Sequence, residues 1–134
     1  MKHTYQKYEL IYQGEIMNLN NIDNILEELM QINGAIASGV IDWESGMALG
    51  MKSNGNFDIE LACAGNSEVI KAKMATMKSL DLDDEISDIL ITLSNQIHII
   101  SMVPGHSELA VYLALESSKA NLALARAAVR KALK

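Results

Sequence analysis

The residues able to do chemistry are few and scattered. Cys63 is the only cysteine in 134 residues, so no internal disulfide forms and any nucleophilic thiol would have to be this one. Its neighbours Ala62 and Ala64 point to a small buried hydrophobe and not to an activated thiolate. His98 alternates with Gln96 and Ile100 on an extended run and His106 falls in a turn. Neither has Cys, His or carboxylate neighbours at metal-ligand spacing. Asp81, Asp83, Asp84 and Glu85 mimic the spacing of a calcium loop, but the central glycine and terminal glutamate ligand of such a loop are missing, so the run reads as a solvated link. No Walker A sequence, GxGxxG or GxSxG elbow occurs, and the Ser, His and Asp residues define no triad. Asn121 sits on the apolar side of the last helix, where a buried hydrogen bond to nearby backbone is its expected role. The sequence therefore predicts no catalytic residue, metal ligand or cofactor.

Composition narrows the class further. The formal net charge is −6, which argues against general nucleic-acid binding, because that relies on neutralising phosphates. No apolar run approaches the roughly 20 residues of a membrane helix, and the start lacks the apolar region of a secretory signal. A lone cysteine fits a reducing cytoplasm. Only six residues are aromatic against eight methionines, so the core is expected to be aliphatic. Residues 1–19 read as a tail and 20–134 as one domain. Gln13-Gly14-Glu15-Ile16 can be encoded with an AAGGAG ribosome-binding sequence just ahead of Met17. Two readings stand side by side: translation starts at Met17 and leaves residues 1–16 as leader, or the tail belongs to the protein, disordered or adding an edge strand.

These groups would be positioned by a regular alternation of elements. Ile22, Ile25, Leu26, Leu29 and Ile32 recur at helical spacing, with Asn20 or Asn21 as N-cap and Asn33-Gly34 as the stop. Residues 35–43 and 47–52 are extended runs around the turn Glu44-Ser45-Gly46. Residues 57–80 form the longest helical pattern, capped by Asp58. At roughly 100° per residue, Ile59, Cys63, Val69, Ile70, Met74, Met77 and Leu80 gather on one face. Leu61, Ala64, Gly65, Ala72 and Ala75 lie nearly opposite. Two faces imply two packing partners, a sheet for the large residues and a closely approaching helix for the small ones. Three more strands follow over 86–93, 96–103 and 109–116, with short gaps that imply antiparallel neighbours. A helix over 119–134 carries Lys119, Arg126, Arg130, Lys131 and Lys134 and no acid; cations late in a helix complement its dipole. The order α–β–β–α–β–β–β–α predicts an α+β domain with a five-stranded antiparallel sheet covered on both faces.

Three stretches in this order resemble the roadblock/dynein light-chain family. They are the hairpin from Gly34-Ala35-Ile36 through Val40-Ile41-Asp42-Trp43-Glu44-Ser45-Gly46-Met47-Ala48-Leu49, the strand pair Ile89-Leu90-Ile91-Thr92-Leu93 with Gln96-Ile97-His98-Ile99-Ile100, and the helix signature Asn121-Leu122-Ala123-Leu124-Ala125-Arg126. The resemblance implies a profilin-like sheet of order 2-1-5-4-3, with the middle helix on one face and the terminal helices on the other. It also implies a homodimer formed by third strands edge to edge and middle helices side by side. The implied interface is Leu61, Ala64, Glu68, Lys71, Ala72 and Ala75 with Ile89 and Ile91. Members of that family are non-catalytic and scaffold or regulate partners, often small Ras-like GTPases or motor and signalling complexes. The middle helix here is Met-rich, and no GTPase-contact motif maps onto it. The alternative is a small-molecule-sensing domain with a pocket between sheet and middle helix, which methionines are adaptable enough to line.

Overall fold

A computed structural model describes residues 19–134. The expectations for a leader and a start at Met17 lie outside them. The elements are α1 (Leu19–Met30), β1 (Ala35–Asp42), β2 (Met47–Ser53), α2 (Ile59–Ser79), β3 (Asp88–Thr92), β4 (Gln96–Val103), β5 (His106–Glu116) and α3 (Leu122–Ala132). All strand pairs are antiparallel and the order is β2-β1-β5-β4-β3, as the resemblance implied.

The central strand β5 explains the two layers. Its residues 109–115 are buried without interruption, as a strand covered on both faces must be. Leu109, Val111, Leu113 and Leu115 point to one side, where they join Ile97, Ile99 and Val103 of β4 and the apolar faces of α1 and α3. Ala110, Tyr112 and Ala114 point to the other, toward Ile59, Cys63 and Ile70 of α2. Large branched side chains thus meet the terminal helices. Small ones, with Ala37 and Gly39 of β1, let the middle helix come close. At Gly39 a Cβ would lie 2.7 Å from Cys63 Sγ, so only glycine keeps that contact.

Several local expectations are revised. Asn20 and Asn21 stand within the first turn of α1, not ahead of it; the leading N–H groups of a helix have no intrahelical acceptor, so polar residues are tolerated there. The turn between β4 and β5 needs only Pro104-Gly105, with Gly105 at φ 79°, so His106 already begins β5. Leu80 does not cover the sheet: α2 ends at Ser79, and Leu80 is 62% exposed. Asp58 does cap α2, its carboxylate accepting from Leu61 N at 3.0 Å. Asn121 does bond backbone, accepting from Leu124 N at 3.0 Å, but as the exposed N-cap of α3.

Candidate interaction surface

The outer face of α2 carries Leu61, Gly65, Glu68, Ala72 and Ala75 at alternating four- and three-residue steps, with Ala64 beside them. All are exposed, and Leu61 is 69% exposed. An apolar residue this open among alanines and a glycine is a surface without a partner in the single chain. Gly65 sharpens the point. A Cβ placed there meets nothing within 4 Å, so the fold of one chain does not require the glycine. Lys71 is half-buried on the flank, its Nζ 3.3 Å from Glu68 Oε1.

Among the described strands, β3 is one of the two edges of the sheet. In the β3–β4 ladder Leu93 N donates to Gln96 O at 2.8 Å and Met102 N to Ser87 O at 3.0 Å. Because antiparallel bonding alternates along a strand, Ile89 and Ile91 direct their backbone groups to β4, whereas Asp88, Leu90 and Thr92 direct theirs outward. Ile89 and Ile91 are half-buried, and Ile89 packs with Val69, Met74 and Met102 in the α2 layer. Six of the eight sequence-predicted residues lie on α2 and two, Ile89 and Ile91, on the edge strand β3. The sequence did not single out Leu90 or Asp88. Which residues of an edge strand face outward depends on the pairing register, and no local pattern encodes it.

The two sheet edges differ. β2 bears a bulge opposite Val40/Ile41 and a lysine, Lys52, held by Glu27 at 2.6 Å and Asp23 at 3.2 Å. Bulges and lysines are devices that discourage edge pairing. β3 has neither within its ladder. Its one charged residue, Asp88, is turned back onto the protein, where it accepts from Arg126 Nε at 2.9 Å and Nη2 at 3.2 Å. The fork pins the last helix to the start of the edge strand.

Burial dominates the titratable groups of the α2 layer. Burial pushes the Cys63 thiol up to about 12, so it stays protonated at neutral pH. Tyr112 is likewise raised by burial above the usual phenol range. His98 stacks its edge on Tyr112 at 5.4 Å, its Nε2 2.8 Å from Gln96 Oε1, and burial lowers its pKa. No group of three or more His, Cys, Asp or Glu able to hold a metal ion occurs among the described residues. The pocket expected of a sensing domain would lie under α2, where Cys63, Ile70 and Tyr112 are fully buried. Two grooves among the described residues lie on the α1–α3 side.

No known family model matches the sequence, and no curated protein is matched by it. Solved structures are similar in three dimensions. The gliding protein MglB of Thermus thermophilus is 14% identical, covers 89% of each chain and superposes with a TM-score of 0.73. MglB of Myxococcus xanthus is also 14% identical, with a TM-score of 0.74 over 87% of this chain and 91% of that one. A roadblock/LC7 domain from Streptomyces avermitilis is 7% identical, with a TM-score of 0.70 over 81% and 88%. The chain has the roadblock fold. Among the described residues, no roadblock helix here is long and apolar enough to cross a membrane.

Proposed function

We propose that this chain is a non-catalytic, homodimeric, cytoplasmic scaffold or regulatory module that docks a small Ras-like GTPase, or a signalling or motility complex, on its paired α2 helices. The observation that carries the reading is the exposed stripe Leu61–Ala75 on α2, in a sheet whose β3 edge carries neither a bulge nor a lysine. Antiparallel pairing of two β3 strands about Leu90 adds about six backbone hydrogen bonds and joins the two sheets. It places the two α2 stripes next to each other, covering Leu61, Ala72 and Ala75. The roadblock fold supports the regulatory reading, and the gliding proteins among the similar structures support a motility or signalling setting.

Sedimentation equilibrium at high salt tests the dimer: wild type is expected at twice the chain mass, and Leu90→Pro, which cannot donate at the edge, as a monomer. Affinity capture from the source cell, followed by nucleotide analysis, tests the partner. A co-purifying guanine-nucleotide-binding protein lost on Leu61→Asp is the expected result; recovery of the bait alone defeats the GTPase reading. Within the same proposal the functional unit is residues 20–134 and translation begins at Met17, which intact-mass measurement of the protein made from its native gene region checks.

A further inference from the structure

A second surface lies on the opposite layer of the molecule. The C-terminal end of α1 and the N-terminal half of α3 form a groove of about 490 Å³, within the range of roughly 300–1,000 Å³ typical of binding clefts. Its floor is Ile32, Ala128 and Leu124, and Leu124 is 70% exposed. Lys131 lines it, as does Lys119, whose Nζ is 3.4 Å from Glu116 Oε2 in an exposed pair that a stronger partner can displace. Lys131 has no carboxylate partner among the described residues, and Arg130 and Lys134 add charge on the same helix. Glu28 is the only acid lining it.

The same chain displays the complement elsewhere. After α2 the backbone turns through Asp81 at φ 57°, with Leu82 N bonded to Met77 O at 3.0 Å and Asp81 N to Lys78 O at 3.1 Å. This helix stop usually employs glycine at the left-handed position. It holds Leu80 and Leu82 out at 62% and 52% exposure, between Asp81, Asp83, Asp84 and Glu85, all exposed. An apolar, acidic corner thus matches an apolar, basic groove in both respects. A chain of net charge −6 repels its copies unless such patches meet.

Within one chain the corner does not fill the groove. Asp88, which follows the corner, is held by Arg126 of α3, yet Leu82 stays 52% exposed and Leu124 70% exposed.

We infer that the α1–α3 groove receives the Leu80–Glu85 corner of a second copy of this chain, a head-to-tail contact separate from the α2/β3 surface. Leu82 sits over Leu124 and Ile32, and the carboxylates face Lys119 and Lys131. Because the two halves are different surfaces, each copy offers one of each and the contact propagates instead of closing on itself.

The test uses the full chain and three variants at exposed positions, Leu82→Ser, Leu124→Ser and Lys131→Glu, with unfolding curves confirming that each folds. In sedimentation velocity at low salt the wild type is expected to form species larger than a dimer, dissociating at high salt as screening removes the charge attraction. Each variant is expected to stop at the dimer. The decisive arm mixes labelled Leu82→Ser with unlabelled Leu124→Ser. Each alone does not associate further, but together one intact corner meets one intact groove and a complex forms. The peptide of residues 79–87 is expected to bind wild type saturably and about tenfold more weakly to Lys131→Glu. A wild type that never exceeds the dimer at low salt, a mixture that behaves as its components, or a peptide that does not bind overturns the inference. Loss of the dimer itself, as in Leu90→Pro, tests only the β3 pairing, so the two contacts fail separately.

Discussion

Replacing Gly65 separates what the fold needs from what the proposed dimer needs. Gly65 lies within a 21-residue helix, is exposed, and would place a Cβ in open space. A mid-helix glycine costs about 0.8–1.0 kcal/mol relative to alanine, because the backbone loses more freedom on folding. In the single chain Gly65→Ala is therefore expected to stabilise by about 1 kcal/mol, raising Tm by roughly 4–6 °C for a domain of this size. Helices packed side by side stand about 8–10 Å apart, at the low end when small residues meet. Gly65→Leu then forces a branched side chain into that contact from both copies. Overpacking costs about 1–3 kcal/mol, which is about ten- to a hundredfold in the dimer dissociation constant. The assay is sedimentation equilibrium over a dilution series, paired with urea unfolding at low concentration, where the monomer dominates. The expected pattern is a Gly65→Leu chain that folds at least as stably as wild type yet dimerises weakly. A Gly65→Leu dimer as tight as wild type refutes the placement of α2 in the interface.

Four further outcomes follow from the packing. Asp88→Asn breaks a forked, partly buried ion pair with Arg126 and is expected to destabilise by about 1–3 kcal/mol in urea unfolding. Gly39→Ala drives a methyl into Cys63 Sγ and should cost about 1–3 kcal/mol; Cys63→Ala removes the obstacle, so a double-mutant cycle should show coupling. Asp81→Gly relieves a left-handed residue and removes a carboxylate from a helix C-terminus, gaining about 0.5–1 kcal/mol by thermal unfolding. The pKa of His98 is lowered in the fold by burial, so as pH falls through 6.5 the unfolded chain takes the proton first. Stability should therefore drop below that pH and level off below the folded pKa, and His98→Phe should flatten the difference between unfolding at pH 7 and pH 5.

Element type was legible wherever one residue pattern served one environment. The period of Ile22, Ile25, Leu26 and Leu29 gave α1, and the small and large faces of α2 were separable because each faces a different medium, solvent and sheet. Boundaries failed where local chemistry competed. His106 and Ser107 look like turn residues, yet the register of β5 with β4 draws His106 opposite Val103. Leu80 has the spacing of a core residue, but the turn at Asp81 swings it out. Of the proposed interface, the exposed small-residue face of α2 was legible from the wheel. Leu90 and the Asp88–Arg126 fork were not, being defined by a strand pairing and by a contact across 38 residues.

By itself the sequence determined the order of elements, the aliphatic two-sided core and the lack of motifs for catalysis. These are properties of periodicity and residue type, which act through neighbours along the chain. The tertiary structure alone decided which backbone groups of β3 face outward, why β2 is a guarded edge and β3 is not, and that Leu82 and Leu124 are left exposed on separate surfaces. Those facts depend on register and on which layer each helix joins. Only packing fixes them, since a shift of one residue along a strand would turn every side chain to the other face.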